Sequence, residues 1–412
     1  MCVWLGVGAV LSFVRWFVGL VVGSLLAALC VVVGVSRLSI TSSHLFSWRV
    51  SLREIEMEDD ALARDPRIKL SIGTEQHGSL DGQFDSAAGL VFDHHRGLLM
   101  VVDSENHRVQ VFSCDDEGGS CSFVSKFGKE GSQPGQFKYP WGIAIDHDHD
   151  RILIVDGANH RVQSWSLSDQ SLLPCIGQNG SGDLGLIYPY NVAIDKHHHR
   201  TIITDSGSDR LVFLSSIDLS FLFKIGGNEG SRPGEFNYPT GVAIDDDRHR
   251  IIVVDTNNYR VQVLSLIDGS FLFEFGSKGD QPGEFDEPRG VCIDNHGRII
   301  VADFYNRRLQ AFTHEGHHIS SFECGSEWPC ALAFDEHRGL IAFSAGNRVH
   351  VIGANQWLPD TKFVWRPDRH RHAPSWMKQA VSTMTMIRSL VDECSAMSMI
   401  PNELLFEIFS FL

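Results

Sequence analysis

A short apolar run ending in aspartate returns along this chain: VVD, IVD, ITD, VVD and VAD close on Asp103, Asp156, Asp205, Asp255 and Asp303. The steps between them are 53, 49, 50 and 48 residues. A period held this closely marks a repeat architecture, and it constrains the fold more than any single motif does. Two further markers keep the same period. A glycine after an aromatic-rich run falls at Gly73, Gly128, Gly177, Gly226, Gly276 and Gly325. An aspartate closing a GIAID-like segment falls at Asp93, Asp146, Asp195, Asp245, Asp294 and Asp335. Six copies are therefore present, the last one degenerate.

Each copy reads as four short strands, which in the fourth are GVAID, RIIVVD, RVQVLS and SFLFEFG. The second is continuously apolar, as a strand covered on both faces must be, while the third and fourth alternate. Asp268-Gly269 is a hairpin signal and DDDRHR a polar turn. A lone sheet of this kind leaves a wide apolar face wet, and stacking six of them around an axis buries both faces. The fold class is thus all-β, a six-bladed β-propeller. IKLSIG (68–73) is a fourth-type strand lying before any first-type strand, and the last copy stops after its third strand, VHVIG (349–353). The N-terminal strand is expected to complete the last blade.

Stretches such as GSQPGQFKYPWGIAIDHDHDRILIVDGANHRVQSW resemble NHL repeats, whose signature appears here as NHR at 106–108 and 159–161. The resemblance covers residues 68–355 and implies a propeller that binds a partner. NHL propellers often form the substrate-binding half of tripartite-motif ubiquitin ligases, and some relatives bind RNA. This chain has no RING or B-box cysteine pattern, so it is not expected to be a catalytic ligase itself.

The formal net charge of −16 lies wholly within 68–355, since each flank is neutral by count. An acidic body repels phosphate backbones, which makes nucleic acid an unfavoured partner. The flanks divide into a hydrophobic segment (1–40), a linker (41–67), a linker with a helix (356–400) and a terminal segment (401–412). Residues 16–35 carry no charge and are long enough to span a bilayer as a helix. A membrane anchor is expected there, with a signal peptide or an upstream extension of the reading frame as alternatives. Arg37, Arg49 and Arg53 outnumber Arg15, which places the propeller on the cytoplasmic side. The sequon Asn179-Gly180-Ser181 offers a check on that side, through glycosylation. The nine cysteines show no zinc spacing. Cys114 with Cys121, and Cys324 with Cys330, are close enough in sequence to bridge, but a core this large has no need of disulfides and thiols are expected.

Repetition separates structural residues from candidate site residues. The pairs Asp103–Arg108, Asp156–Arg161, Asp205–Arg210, Asp255–Arg260 and Asp303–Arg308 recur at a separation of five. A single active site has no use for five equivalent pairs, so they are expected to tie the turn between second and third strands. Arg348 opens the third strand of the sixth copy without that aspartate. The informative slots are those that vary. Before each first strand stands P-x-G or a relative of it, where x is Ala88, Trp141, Tyr190, Thr240, Arg289 and Cys330 in turn. Strands alternate in direction, so this slot shares a face with the turns carrying His107, His160, Asp209, Tyr259, Phe304, Tyr305 and Arg307. Aromatic and arginine side chains dominate binding hot spots, and this face is expected to hold a protein or peptide partner near the channel mouth. The alternative is that the aromatics plug the channel.

The opposite face collects histidines: His94, His95, His147, His149, His197, His198, His199, His249, His296 and His337. Their turns belong to different blades and are expected to point outward as a solvated rim, with no metal site and no cofactor. Six-bladed relatives include amidating lyases and lactonases that ring the channel with His or carboxylate ligands. The first strands here offer no histidine, and Cys292 is a lone thiol, so catalysis is not expected. After Asn355 the pattern ends. Residues 375–393 suit a helix with Ser375 as N-cap. In PNELLFEIFSFL (401–412), Pro401 suits a first turn, and Leu404, Leu405, Ile408, Phe409 and Leu412 form an apolar stripe. The segment resembles the opening helix of an F-box. That resemblance implies docking to a Skp-type adaptor and a link to ubiquitin-dependent degradation. A coincidental amphipathic helix is the alternative.

Overall fold

The computed structural model describes residue 62 and residues 65–358, except 116, 117 and 181. Within them, antiparallel sheets follow one another as six blades. Blade 1 runs Ala87–Asp93, Leu98–Asp103, Arg108–Cys114 and Cys121–Phe127. Blades 3, 4 and 5 repeat the pattern from Pro189–Asp195, Pro239–Asp245 and Pro288–Ile293. Blade 2, from Pro140–Asp146, has three regular strands. Its fourth position makes only bridges at Val162–Ile176 and Trp165–Leu172. Pro174, which lacks an N–H to donate, lies between those bridges. The first strands touch their neighbours around the whole circle, blade 6 meeting blade 1.

Closure follows the expected route. Ile68–Gly73 pairs antiparallel with Arg348–Gly353, the third strand of blade 6, in a register that sets Ile72 opposite Val349. The Ser71 hydroxyl also bonds His350 Nδ1 at 2.8 Å.

Burial follows strand position. The second strands RILIVD and RTIITD are buried at every residue. The fourth strand FLFKIG alternates between half-buried and exposed. The third strands depart from expectation: RVQVLS is buried from Arg260 to Leu264, although its sequence alternates. The polar member is consumed internally. Gln262 Nε2 donates to Asp255 Oδ2 at 3.0 Å and to the Glu235 carbonyl at 2.7 Å. Gln110, Gln163 and Gln310 repeat this arrangement.

The apolar core is six lens-shaped clusters, one between each pair of adjoining blades. Phe84, Phe137, Phe236 and Phe285, from the loops joining blades, are fully buried in these seams. Gly128 shows why glycine ends the fourth strand. Its φ is +92°, and an added Cβ would meet the Phe137 ring at 2.5 Å.

The Asp–Arg pairs hold these loops. Arg308 Nε donates to Asp303 Oδ2 at 2.8 Å while its Nη atoms donate to the carbonyls of Asp280, Gln281 and Glu284. The other four pairs lie at 2.7–2.8 Å. In blade 6 Ala345 occupies the aspartate position, and Arg348 reaches Glu75 and Glu327 instead.

The cysteine expectation needs correction at one pair. Cys114 and Cys121 face each other across the outer hairpin of blade 1, with Cα atoms 4.1 Å apart, and form a disulfide. Cys324 and Cys330 are free thiols.

Candidate partner-binding face

Each P-x-G segment interrupts the register between first and second strands, as at Pro140/Ile143 and Pro189/Asn191. Such an irregularity re-aims the side chain it carries, here toward the channel axis. The glycine is required by proximity: a Cβ on Gly290 would stand 2.4 Å from the Cys330 carbonyl of the next blade.

The x residues therefore crowd one channel mouth. Trp141 stacks on Tyr190, ring centroids 5.1 Å apart and planes 17° from parallel. The Tyr190 hydroxyl lies 3.5 Å from Cys330 Sγ, and burial pushes its phenol well above the usual range. Thr240 is buried, its hydroxyl bonded to that of Thr256 at 2.7 Å and donating to the Arg289 carbonyl at 3.0 Å. Ala88 is likewise buried. Below these groups remains a cavity of about 30 Å³ lined by Trp141, Tyr190, Asn191, Val291 and Cys330. That is room for a few waters. Trp141, Tyr190, Thr240 and Cys330 thus crowd the channel mouth. Arg289 is half-buried, with its guanidinium carbon 3.4 Å from the centroid of Phe304.

A second ring of side chains stands outside the plug. His107, His160, Asp209, Tyr259 and Arg307 all adopt left-handed backbone, φ 51–56°. So do Tyr139, Tyr188 and Tyr238, at 49–55°. This conformation is strained for bulky residues, and it recurs in the turns of the opposite face at Asp150, His199 and His249 as part of the repeat. The two series lock together. The Tyr139 amide donates to His107 Nδ1 at 3.2 Å and the Tyr188 amide to His160 Nδ1 at 3.3 Å, each ring pair meeting edge to face. The Tyr238 amide donates to Asp209 Oδ1 at 2.7 Å. Because Nδ1 accepts, each of these two histidines carries a proton on Nε2.

What the face presents outward is mainly aromatic. Tyr139, Tyr188, Tyr238, Tyr305 and Trp328 are 38, 50, 37, 51 and 44% exposed. Trp328 stacks on Phe304 at 6.4 Å, with the exposed Arg307 guanidinium 5.2 Å away. Lys278 lies over Tyr259 at 4.8 Å. Tyr139, Tyr188, Tyr238 and Trp328 were missed in the sequence reading. The available signal was the residue before each P-x-G proline, which reads Y, Y, Y, E and W in blades 2–6.

On the opposite face the histidines do not all point apart. His94 and His95 of blade 1 meet His147 of blade 2 and His337 of blade 6, with ring centroids 4.2–5.2 Å apart. Burial, with neighbouring imidazoles, holds His94 below the usual imidazole value. Burial does the same at His147, against the pull of Asp93. His149 and His198 instead lie against the capping carboxylates Asp146 and Asp195, at 2.9 and 3.0 Å.

Among the described residues no helix is long and apolar enough to cross a membrane. The expected anchor at 16–35, the helix at 375–393 and the adaptor-docking residues Pro401, Leu404, Leu405, Ile408 and Phe409 lie outside the described residues.

The NHL repeat model matches residues 84–112, 137–164, 236–264 and 285–312, which belong to blades 1, 2, 4 and 5. The chain carries four NHL repeats within its six-bladed β-propeller. The unmatched blades 3 and 6 keep the same four-stranded order with altered turns, SDR and GNR where the matched blades read NHR, NHR, NYR and NRR. NHL repeat-containing protein 2 of Gallus gallus is 24% identical over 140 residues, 31% of this chain and 19% of that protein. Protein brain tumor of Drosophila melanogaster is 28% identical over 92 residues, 22% of this chain and 8% of that protein. The chain thus matches less than a fifth of the length of either relative. In three dimensions a gluconolactonase from Xanthomonas campestris superposes with a TM-score of 0.50 at 14% identity, covering 66% of this chain and 87% of its own. A structural-genomics protein from Bacteroides thetaiotaomicron gives 0.51 at 17% identity, covering 68 and 73%. At such identities the likeness is one of fold.

Proposed function

We propose that this NHL-repeat propeller is a binding module that holds a protein or peptide on the face bearing Tyr139, Tyr188, Tyr238, Tyr305 and Trp328. The observation that carries this reading is the convergence of five exposed aromatic side chains on one face, with Arg307 beside Trp328. Aromatic and arginine side chains supply large contact area at low conformational cost, and a converging set differs from scattered exposed residues. The plugged channel supports binding at the surface over chemistry within it. Trp141 and Tyr190 fill the mouth, and the Tyr190 phenol is held neutral.

The test compares the intact chain with a Tyr188→Ala/Tyr238→Ala/Arg307→Ala variant as baits for affinity capture. A variant that melts like wild type and loses its specific partners supports this face. An unchanged partner set at unchanged stability sinks it.

A finer form of the proposal makes the chain a substrate receptor in ubiquitin-dependent degradation. Its support is the F-box-like run Pro401–Leu412 and the habit of NHL propellers in tripartite-motif ligases. Titration with a purified Skp-type adaptor checks it, and no binding by the intact chain removes it.

A further inference from the structure

The face opposite the tyrosines carries a group of side chains that partner binding leaves unused. Three turns between first and second strands, from blades 6, 1 and 2, meet beside the channel axis. The potential ligand atoms of His94, His95 and His147 lie within 4.8 Å of one another. Those of His94, Glu336 and His337 do the same, so His94 stands at the junction of both groups.

The turn that carries His94 and His95 is anchored from below through its backbone. Asp93, fully buried at the end of its strand, accepts at Oδ1 from the amides of His95 and Arg96, at 3.1 and 3.3 Å. The same oxygen lies 3.9 Å from His147 Nε2. Asp93 Oδ2 is buried and has no hydrogen-bond partner, with Arg96 Nη1 at 3.6 Å. At 3.9 Å Asp93 does not hydrogen-bond the His147 ring, but its buried charge faces it and favours a cation there. His94, His95 and His147 bring their candidate ligand atoms toward one point.

We propose that His94, His95 and His147 form a site for one zinc-class dication at this mouth of the channel. Imidazole is the donor preferred by zinc, nickel and copper, and three histidines with a fourth position open to water is a recurrent zinc arrangement. Tetrahedral bonds of about 2.0–2.1 Å bring ligand atoms to roughly 3.3 Å separation, within the 4.8 Å that bounds them here. His95 is exposed and has room to swing inward. Glu336 approaches His94 Nε2 to 3.9 Å and leaves a carboxylate beside the bound ion. The ligands come from two blades, so occupancy cross-links blade 1 to blade 2.

The experiment uses the intact chain, purified without a polyhistidine tag, stripped with chelator and titrated with zinc alone. Bound metal is counted by mass spectrometry and affinity measured by calorimetry. Wild type is expected to hold one zinc per chain with a rise in melting temperature. His94→Ala and His147→Ala are each expected to lose at least about hundredfold in affinity, beyond the tenfold to hundredfold typical of outer-shell changes, and to lose the thermal shift. His337→Ala is expected to retain both. Melting without zinc confirms that each variant folds. Less than one zinc in wild type overturns the proposal. So does stoichiometric zinc surviving in His94→Ala/His147→Ala, which places the metal on the free thiols. A loss in His337→Ala equal to that in His147→Ala overturns the ligand set.

Discussion

Replacing Arg308 by alanine tests whether the recurring ion pairs hold the propeller together or merely accompany it. Asp303 is fully buried and Arg308 nearly so, with side-chain exposures of 0 and 9%. Removing one partner of a buried pair strands the other and costs about 3–5 kcal/mol. Asp303 keeps three donors in the variant: the Asp286 amide at 2.8 Å, Asn306 Nδ2 at 2.9 Å and Gln310 Nε2 at 3.0 Å. The expected loss therefore sits at the lower end, about 3 kcal/mol, or roughly 5–10 °C in Tm for a domain of this size. The pH dependence has a definite sign. Burial already raises the Asp303 carboxyl above the usual aspartate range despite the pairing. Without Arg308 it rises further, so the folded variant binds a proton that its unfolded chain releases. Its deficit is full above the raised folded value and shrinks as pH falls toward the unfolded value near 3.9. Arg348→Ala is the comparison, since its carboxylate partners Glu75 and Glu327 are 56 and 18% exposed. A loss of about 1 kcal/mol is expected there. Denaturant unfolding followed by tryptophan fluorescence at several pH values reads both. A deficit under 1 kcal/mol for Arg308→Ala, or one that grows on acidification, refutes the reasoning.

Three further outcomes are expected. Phe137→Ala, which empties the seam between blades 1 and 2, should cost about 3–5 kcal/mol in the same unfolding assay. Deleting residues 68–73 should lower the melting temperature of the whole propeller, because the third strand of blade 6 then has an unpaired edge. Alkylation before reduction should leave Cys114 and Cys121 unlabelled while Cys175, which is exposed, reacts, and Cys114→Ser should cost about 2 kcal/mol.

Much of this fold is written in the period of the chain. The six-fold glycine and GIAID-type aspartate markers, with the unpaired IKLSIG strand, were enough to deduce six blades and their closure. The third strands misled because alternation records polarity, not exposure, and Gln262 spends its polarity on a buried aspartate. At the candidate face the variable x residues stood out, yet Trp141 and Tyr190 turned inward toward each other. The tyrosine before the proline carries the exposure instead, because a left-handed residue ahead of an irregular register points away from the plug. The histidine cluster was illegible for another reason. His94 and His337 stand 243 positions apart by number, and only ring closure makes their blades neighbours.

Ring closure also sets a schedule for synthesis. The Ser71–His350 bond spans 279 positions, so the strand made first waits for the strand made last. At ribosomal speeds of about 5–20 residues per second, that interval is roughly 15–60 s. Through all of it the nascent propeller is an open arc with an apolar seam and a bare strand edge at each end. The acidic charge concentrated in 68–355 gives such arcs a mutual repulsion while they wait, which lowers their chance of stacking on one another before each is shut.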